Sequence, residues 1–455
     1  MSERPHVLIL WCDQMQACRL GAVDRVAHTP FLDTLANEGT HLTHLISTHG
    51  QCVPSRASFM TGLYPHECGV MVNYGFHGHQ NRLSRRQRTL GHVFSDAGYE
   101  TAYFGKCHFG IPLGGMGFEH AFDYDARKID DEEAETQGIS HVPGSLRRDH
   151  VAAADAVEFL TSYEPGERPL FFVLSTNLPH PPFYREPRFG ELFPPEEMEL
   201  PETFYSESFA GKPAFQQDHA NDGRHGAVDE GNTREELSQY YSMIATMDEH
   251  CGQVAAEFKR MGMWDDTIVL FFSDHGDMMG SHRMRLKGTL PYDELYRVPG
   301  IVKLPRSAER SRSVVDDLVS SVQLAGTLVK AAGLPEEEVF AHGDFLGVLH
   351  RDDQTPAQEG VFFEHYAAYW GTHPFCGIRT RDYKYIRYYG VDATEEMYHL
   401  ATDPNEIRNV AEDEAYSSKR RELADLTDTW WQTTGGRTAA YYESEHFKSN
   451  AHNAP

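Results

Sequence analysis

The chain has 455 residues, of which 40% are hydrophobic and 24% charged, a composition typical of a globular protein with a sizeable core. At this length we expect one large domain with a smaller one beside it. The 41 basic and 68 acidic residues give a net charge of −27, which argues against a nucleic-acid partner and against an anionic membrane surface. A site for a sulfate or phosphate ester would therefore need its own local positive charge.

Neither a targeting segment nor a disulfide framework is apparent. The apolar run at residues 7–12 is short and is closed by Asp13, which indicates a buried strand and not a signal sequence. No segment approaches the roughly 18 uninterrupted apolar residues that a membrane-spanning helix needs. The seven cysteines form no CxxC pair, so buried thiols in a reducing compartment are favoured over disulfides or a zinc site. We expect a cytoplasmic protein without a membrane partner.

Short apolar runs alternate with helical patterns along the first 355 residues. The pattern predicts strands at 7–12, 101–104, 170–176 and 267–272, and helices at 29–39, 90–97, 152–160 and 234–261. Such alternation is typical of a largely parallel sheet with helices on both faces. The stretch 185–233 is rich in Pro, Glu, Asp and Gly, which predicts a long surface loop on the substrate side.

The pattern changes after about residue 356. Short β-like runs at 360–363, 377–381 and 383–389 precede a polar helical region that ends near residue 433. We therefore predict an α/β catalytic domain over 1–355 and a smaller α+β domain over 356–455.

Polar side chains follow two of the predicted strands. Asp13 and Gln14 come directly after the first strand, and Asp274 and His275 follow the strand at 267–272. Ligands bind beyond the carboxyl ends of the strands in such sheets, so these side chains are candidates for one metal site. A polar pair at one strand end is by itself more often a turn or a helix cap, and the second pair favours the metal site. The oxygen ligands favour Ca²⁺ or Mg²⁺, while His275 leaves Mn²⁺ open. We expect Ca²⁺.

Cys52 is the candidate nucleophile. It starts the stretch CVPSRASFMTG, in which a thiol stands at the beginning of a short helical run, where the helix dipole lowers a thiol pKa and stabilises an anion. Cys-x-Pro-Ser-Arg followed by Thr-Gly resembles the formylglycine signature of the sulfatase family, part of the alkaline phosphatase superfamily. The resemblance implies that a formylglycine-generating enzyme oxidises Cys52 to an aldehyde.

The resemblance extends over nearly the whole chain and implies an alkaline phosphatase-like fold. The segment 105–108 is similar to the family's Gly-Lys-x-His motif, and 177–183 to its Pro-His-x-Pro-Phe segment. Asp13-Gln14 and Asp274-His275-Gly276 match the two metal pairs, and Lys287 follows the second pair at a familiar distance. The segments 379–385 and 403–406 resemble the family's C-terminal domain.

This resemblance implies a sulfuric ester hydrolase. A hydroxyl of hydrated formylglycine at residue 52, activated by the metal, attacks sulfur, and the second hydroxyl then expels sulfate from the covalent intermediate as the aldehyde reforms. The implied roles are orientation of the diol and metal ligands by Arg56, neutralisation of sulfate oxygens by Lys106 and Lys287, proton removal by His108 and protonation of the leaving alcohol by His180. The two histidine roles are interchangeable at this stage.

The expected substrate is a small-molecule or carbohydrate sulfate ester. Candidate residues for binding the rest of the substrate are Asn73, His365 and Trp370, with Tyr74, His77, His79, Tyr366 and Tyr369 beside them. Aromatic rings stack on sugar or aryl groups, but rings at a domain junction equally serve packing. The sequence carries no signal for an oligomeric state.

Two alternatives remain open. A phosphonate monoester or phosphodiester hydrolase of the same superfamily would share the fold, the nucleophile and the metal site. Lys106 and His108 favour the sulfatase, because the phosphonate hydrolases carry Tyr and Thr in place of that pair. The second alternative is an anion-binding pseudoenzyme in which Cys52 stays a thiol.

Overall fold

The computed structural model describes residues 4–123, 147–166, 168–222, 228–308, 311–335, 340–350, 358–390 and 394–453. Within these ranges nine strands form one sheet: β1 His6–Cys12, β2 Thr40–Ile46, β3 Glu100–Gly105, β4 His120–Asp123, β5 Leu170–Ser175, β6 Thr267–Ser273, β7 Arg297–Val298, β8 Gly300–Lys303 and β9 Val314–Ser320. Four more form a second sheet: β10 Gly360–Ala368, β11 Gly371–Thr380, β12 Tyr383–Tyr388 and β13 Glu395–His399.

The large sheet is mixed and mostly parallel. Its strand order is β4-β3-β5-β1-β6-β8-β2-β7, and β9 pairs with β2. The contiguous strands β4, β3, β5, β1 and β6 run parallel, as does the β2–β9 pair, whereas β8 is antiparallel to both β6 and β2, and β7 is antiparallel to β2. The second sheet is antiparallel in the order β10-β11-β12-β13.

Helices cover both faces of the large sheet. The helices are α1 Pro30–Glu38, α2 Cys52–Thr61, α3 Pro65–Cys68, α4 Leu90–Asp96, α5 Arg148–Ser162, α6 Thr203–Ser206, α7 Ala214–Asn221, α8 Glu230–Arg260, α9 Asp293–Tyr296, α10 Leu324–Ala331, α11 Leu346–His350, α12 Ser417–Thr433, α13 Ala439–Tyr442 and α14 Glu445–Lys448. Apolar side chains of α2, α4 and α10 pack on one face, and those of α1, α5 and α8 pack on the other.

Strand β1 shows why the sheet needs both layers. Its side chains alternate between the two faces, with Ile9 and Trp11 in one core cluster and Leu8 and Leu10 in the other, and all four are buried. A central parallel strand is buried on both sides, so its sequence is continuously apolar instead of alternating. The predicted fold class, a mostly parallel sheet between helices with a smaller α+β part, is confirmed.

Of two further predictions about the chain's organisation, the domain boundary is not tested and the surface loop differs from the structure. The boundary near residue 355 lies outside the described residues, and the division at that point stays a prediction. The stretch 185–233, predicted as a surface loop, contains α6 and α7 and buries Phe193 and Phe204, because its aromatic residues pack against the body of the protein.

Within the described ranges, no helix combines the length and the apolar character that a bilayer crossing demands.

Candidate functional site

Four adjacent strands end at the same edge of the large sheet and place the candidate residues together. Cys12 of β1 pairs with Ser273 of β6, so Asp13 and Asp274 leave neighbouring strand ends. On the other side of β1, Gly105 of β3 pairs with the last residue of β5. Lys106 and His108 follow β3, and His180 follows β5. Strand order therefore explains why Asp13 and Asp274, 261 positions apart in the sequence, meet at one site.

The turn after β3 requires glycine. Gly105 has φ of +109°, and a Cβ added there would stand 2.0 Å from the carbonyl oxygen of Ser175. A side chain does not fit this close approach between neighbouring strand ends. The glycine thus lets Lys106 turn into the site directly after the strand.

Asp13, Cys52, Asp274 and His275 form a buried cluster of ligand-type atoms, which all lie within 4.8 Å of one another. The Nδ1 atom of His275 is 2.8 Å from the carbonyl oxygen of Gly276, to which it donates in the neutral ring. This bond leaves Nε2 facing Cys52, and loss of the Nε2 proton would make that nitrogen a ligand atom for the cluster. Two carboxylates and one imidazole nitrogen at this spacing fit a divalent cation.

The fourth candidate ligand, Gln14, borders the same cluster. Its Oε1 accepts a hydrogen bond from Nζ of Lys287 at 2.6 Å, and its backbone N–H donates to Oδ1 of Asp274 at 3.1 Å. Its backbone has φ of +70°, an uncommon conformation for a residue other than glycine. The amide oxygen thus faces the side of the cluster on which Lys287 lies.

Cys52 is the first residue of helix α2 and is almost completely buried. Its Sγ lies 2.8 Å from Nζ of Lys287, 3.2 Å from Nε2 of His275 and 3.6 Å from Oδ1 of Asp13. The next backbone N–H, that of Val53, donates to Oδ1 of Asn73 at 3.0 Å. Asn73 therefore satisfies one of the free N–H groups at the start of the helix that carries the candidate nucleophile.

The surroundings favour the anionic form of the Cys52 side chain. Burial by itself raises the pKa of a thiol, but Lys106, Lys287 and His275, with a hydrogen bond from His108, outweigh it. The pKa of Cys52 is therefore held well below its usual range. The site is built to stabilise negative charge at residue 52.

Arg56 connects the candidate nucleophile helix to both carboxylates. It lies one turn after Cys52 on α2, and its side chain is completely buried. Its guanidinium donates to Oδ2 of Asp274 at 2.8 Å, to Oδ2 of Asp13 at 3.1 Å and to Oγ of Ser175 at 2.8 Å. A planar donor group with several fixed N–H directions holds the two carboxylates in one orientation.

Lys106 is the third cation of the site, which needs local positive charge to bind a sulfate or phosphate ester. Its Nζ lies 2.6 Å from Oδ2 of Asp13 and donates to Oδ1 of Asn177 at 3.0 Å. Burial and the Cys52 side chain raise the pKa of Asp13, but the cations Lys106 and Lys287 and the nearby His180 ring dominate and hold it well below its usual range. Arg56, Lys106 and Lys287 thus concentrate three cations in a protein with a net charge of −27.

His108 and His180 are half-buried, and their rings lie close to Cys52. Both rings interact with the Cys52 side chain: His108 favours its anionic form, and Cys52 favours the protonated form of His180. Nδ1 of His180 is 2.6 Å from the carbonyl oxygen of Pro181, which leaves Nε2 for the site. Burial, Lys287 and Lys106 lower the pKa of His180 to about 4. Its ring is therefore neutral at pH 7 until negative charge enters the site.

The three predicted substrate-binding residues have different surroundings. Asn73 is buried at the start of α2. His365 is also buried, and its ring stacks on that of His49 with 4.4 Å between centroids. Trp370 is partly exposed and stacks on His219 with centroids 3.6 Å apart. Of the three, Trp370 alone is not buried.

The stack of Trp370 and His219 borders the loop that carries Lys287. The His219 ring lies 2.7 Å from the position of a Cβ added to Gly288, the residue after Lys287. On the other side of the β10–β11 turn, Tyr369 packs edge-on against Phe76, with 4.3 Å between centroids. The turn thus extends from the loop after α3 to the loop of Lys287.

The other candidates for substrate binding lie partly at the surface and partly in the core. Tyr74 is 45% and Tyr369 is 43% exposed, so their rings are accessible. His79 and Tyr366 are buried, and Tyr366 donates its hydroxyl hydrogen to Glu443 at 2.7 Å. His77 Nε2 lies 2.6 Å from the carbonyl oxygen of Ala368. This last contact holds the Asn73 loop against the β10–β11 turn.

The end of the chain packs on the loop that contains Asn73. The backbone N–H of Gln80 donates to the carbonyl oxygen of Lys448 at 2.7 Å. Farther along, Nδ2 of Asn453 donates to the carbonyl oxygen of Cys68 at 3.1 Å. Residues 448–453 therefore hold the segment that supplies the cap of α2.

Four further polar residues, Ser47, Ser55, Ser175 and Asn177, support this arrangement. Ser47 and Ser55 each donate a hydroxyl hydrogen to the backbone oxygen of Asp274 at 2.6 Å, and Ser175 accepts from Arg56. Asn177 accepts from Lys106. A signal exists for Ser55, which lies inside the CVPSR segment, whereas serine at the end of a strand is too common to be informative.

Two family models match the chain. The model described as Sulfatase matches residues 5–334, and the model described as N-sulphoglucosamine sulphohydrolase, C-terminal, matches residues 280–430. The first match includes every candidate metal ligand and Cys52.

Two named sulfatases and one hydrolase of the same fold are similar to this chain. The choline-sulfatase of Rhizobium meliloti is 29% identical, over 90% of this chain and 83% of its own length. A solved 2-O GAG sulfatase is 27% identical with a TM-score of 0.79 and covers 95% of this chain and 93% of its own. The phosphonate monoester hydrolase of Agrobacterium radiobacter, at 22% identity, shares the fold with a TM-score of 0.81 and covers 96% and 97% of the two chains.

Proposed function

The chain belongs to the sulfatase family, and we propose that it hydrolyses a sulfate monoester with residue 52 as the nucleophile, after oxidation of Cys52 to formylglycine. One observation carries the proposal. Cys52 stands at the N-terminus of α2, with a lysine, an imidazole and a carboxylate within 3.6 Å of its sulfur. Such surroundings stabilise an anionic nucleophile and the oxygens of a bound sulfate.

We propose that Asp13, Gln14, Asp274 and His275 hold a divalent cation, most suitably Ca²⁺. The donor set of three side chains with oxygen ligands and one imidazole is consistent with a hard cation. Converted to formylglycine, residue 52 would supply the hydroxyl nucleophile, and the cation would lower the pKa of that hydroxyl. Arg56 pairs with both carboxylates and Lys106 with Asp13, and these contacts hold the proposed carboxylate ligands in place.

The remaining charged side chains define the roles around a bound sulfate. Lys106 and Lys287 flank residue 52 and would neutralise the sulfate oxygens as charge shifts to the leaving group. Arg56 would keep the carboxylates in place. The negative charge of a bound sulfate would oppose the effect of the two lysines on the pKa of His180, so that its ring can carry the proton for the leaving alcohol. His108 would accept the proton from residue 52.

We propose that the substrate is a carbohydrate sulfate. The support comes from the 2-O GAG sulfatase, at 27% identity, and from the partly exposed rings of Trp370 and Tyr369 at the β10–β11 turn. Aromatic rings present flat apolar surfaces of the kind that pack against sugar rings. Choline sulfate is the competing small-molecule substrate, because the R. meliloti relative is a choline-sulfatase.

Maturation and location belong to the same proposal. A formylglycine-generating enzyme would act on Cys52, and the protein would function in the cytoplasm. The location is supported by the cysteines, since all seven are free thiols.

Mass spectrometry combined with a substrate panel tests the proposal. The chain is produced with and without a formylglycine-generating enzyme, and conversion of Cys52 is followed as a loss of about 18 Da in the intact mass. The Ca²⁺-loaded protein is then assayed with carbohydrate, choline, alkyl and aryl sulfates beside phosphonate and phosphate esters. We expect turnover of sulfate esters that rises in proportion to the converted fraction.

Three outcomes would contradict the proposal. Faster turnover of phosphonate or phosphate diesters than of every sulfate would indicate the superfamily's other activity. Full conversion without turnover of any ester would leave an anion-binding protein. Turnover that is independent of conversion would show that residue 52 is not the nucleophile.

A further inference from the structure

Asp277 is a buried carboxylate close to the candidate metal site, but its side chain points away from the cluster of ligand atoms. Its Oδ1 accepts the backbone N–H of Met279 at 2.8 Å, and its Oδ2 accepts a short hydrogen bond from Nε2 of Gln14. Its backbone oxygen accepts from Nε2 of Gln16 at 2.6 Å. Both side-chain oxygens are therefore engaged.

The orientation of the Gln14 amide follows from its two partners. Lys287 offers only donors, so it must face the amide oxygen, which it contacts at 2.6 Å. An ionised Asp277 offers only acceptors, so it must face the amide nitrogen. The two partners fix the same orientation from opposite ends, with the oxygen toward the cation site and the nitrogen away from it.

The backbone of Gln14 is held as well. Its carbonyl oxygen accepts from the hydroxyl of Tyr240 at 2.6 Å, and its N–H is bonded to Asp274. All of these groups are completely buried, so water does not replace a lost partner easily. The remaining freedom of Gln14 is rotation of its amide, which exchanges oxygen for nitrogen.

We propose that Asp277 is a positioning residue for the metal site, which holds the Gln14 amide with its oxygen toward the cation. The inference rests on the proposed role of Gln14 as a ligand. A flipped amide would present an NH₂ group to both Lys287 and the cation, and neither accepts a hydrogen bond from it. Partners of metal ligands of this kind typically contribute about 10-fold to 100-fold to metal affinity.

The Asp277→Asn variant should disturb this arrangement without changing side-chain size. If Oδ1 of the new amide keeps the N–H of Met279, its NH₂ group meets the NH₂ group of Gln14. If it rotates, its NH₂ group meets the N–H of Met279 instead. In either orientation two buried donors face each other, and turning Gln14 to relieve the clash removes its oxygen from the cation.

A charge swap provides the matched test. In the double variant Gln14→Glu with Asp277→Asn, the new amide donates to one oxygen of residue 14 and accepts from Met279. The other oxygen of residue 14 faces the cation, and the total charge equals that of the unaltered protein. Gln14→Glu alone is the control, because it places two carboxylates against each other.

The experiment measures Ca²⁺ binding by calorimetry on protein stripped with EDTA, together with thermal unfolding in EDTA. Asp277→Asn should weaken Ca²⁺ binding by about 10-fold to 100-fold, and the swap should restore it to within about 5-fold of the unaltered protein. Asp277→Asn and Gln14→Glu should each lower the unfolding temperature in EDTA, and the swap should recover most of that loss.

Unchanged Ca²⁺ binding in Asp277→Asn would overturn the inference. The inference would also be overturned if Asp277→Asn weakened Ca²⁺ binding and the double variant did not restore it. That result would mean that Asp277 does not affect the metal through residue 14. Absence of Ca²⁺ binding in the unaltered protein would instead refute the proposed metal site itself.

Discussion

The ammonium group of Lys287 lies 2.8 Å from the sulfur of Cys52, although 234 residues separate the two positions in the chain. Lys287 follows β6 and Cys52 begins α2, so the contact joins a loop after the sheet edge to the helix that carries the candidate nucleophile. Burial disfavours the ammonium ion, but the negative charges of Cys52 and Asp13 outweigh it and raise the pKa of Lys287. Lys287 is therefore charged where a sulfate group would bind.

Removal of this charge should slow catalysis. Lys287→Met removes the charge and keeps an unbranched side chain that is one atom shorter. We expect kcat/KM for a sulfate ester to fall by about 10² to 10³, because one fixed charge no longer faces the sulfate oxygens. Steady-state kinetics on protein with equal formylglycine content provides the measurement. Lys330→Met, at an exposed ion pair with Asp344, is the control and should keep full activity. A loss below threefold in Lys287→Met would refute the assigned role.

His180 should matter most for substrates with poor leaving groups. His180→Ala should reduce turnover of an alkyl sulfate by about 10² to 10⁴, because the departing alkoxide then lacks a proton donor, while a nitrophenyl sulfate should lose much less. The two rates are compared at equal formylglycine and Ca²⁺ content, since loss of either depresses both rates. Equal losses on both substrates would assign His180 to sulfate binding.

Arg56 should be as important for folding as for the site. Arg56→Met leaves the buried carboxylates of Asp13 and Asp274 without their shared partner, and we expect a loss of about 3–5 kcal/mol in the free energy of unfolding. Added Ca²⁺ should reduce the loss, because it neutralises the same carboxylates. Urea unfolding with EDTA and with Ca²⁺ measures both effects.

The matched control for this variant is Arg306→Met, whose side chain is 79% exposed in its ion pair with Asp265. Its effect should stay below about 1 kcal/mol. Comparable losses of unfolding free energy in the two arginine variants would contradict the expected stabilisation of the buried carboxylates by Arg56.

The buried pair of His66 and Glu364 should make stability depend on pH. Nδ1 of His66 lies 2.8 Å from Oε1 of Glu364, which joins α3 to β10. Burial lowers the pKa of His66, but the Glu364 carboxylate outweighs burial and raises it. A raised pKa means that the stabilisation is fully present below the unfolded value of about 6.5 and is lost as the pH rises through the folded value.

His66→Gln should therefore destabilise the protein more at pH 6 than at pH 9. Urea unfolding of both proteins across this range measures the difference, and Glu364→Gln should reproduce its pH dependence. A difference that grows toward pH 9 would contradict the assignment of a charged His66.

The central strands and the main site residues were predictable because they obey simple rules. A continuously apolar strand followed by Asp-Gln or Asp-His is visible in the sequence, and parallel strands end at one edge. Strand β2, by contrast, was not predicted. Its sequence THLTHLI mixes polar and apolar residues, and its pairing with β8 and β9 depends on contacts far along the chain.

The orientation of individual side chains could not be predicted from the sequence, because it also depends on contacts between residues far apart in the chain. Asn73 was expected to bind substrate, but the structure bonds it to Val53 at the start of α2, and its role toward substrate stays a prediction. The carboxylate of Asp277 follows the predicted metal pair, yet its bond to Gln14 depends on packing that only the folded chain defines.

The contact between residues 448–453 and the Asn73 loop links a segment far along the sequence to the start of helix α2. Residues 448–453 thus support the cap of a helix that begins about 400 residues earlier in the sequence. Deletion of residues 448–453 should therefore loosen the support of Asn73 and disturb the start of the helix that carries Cys52.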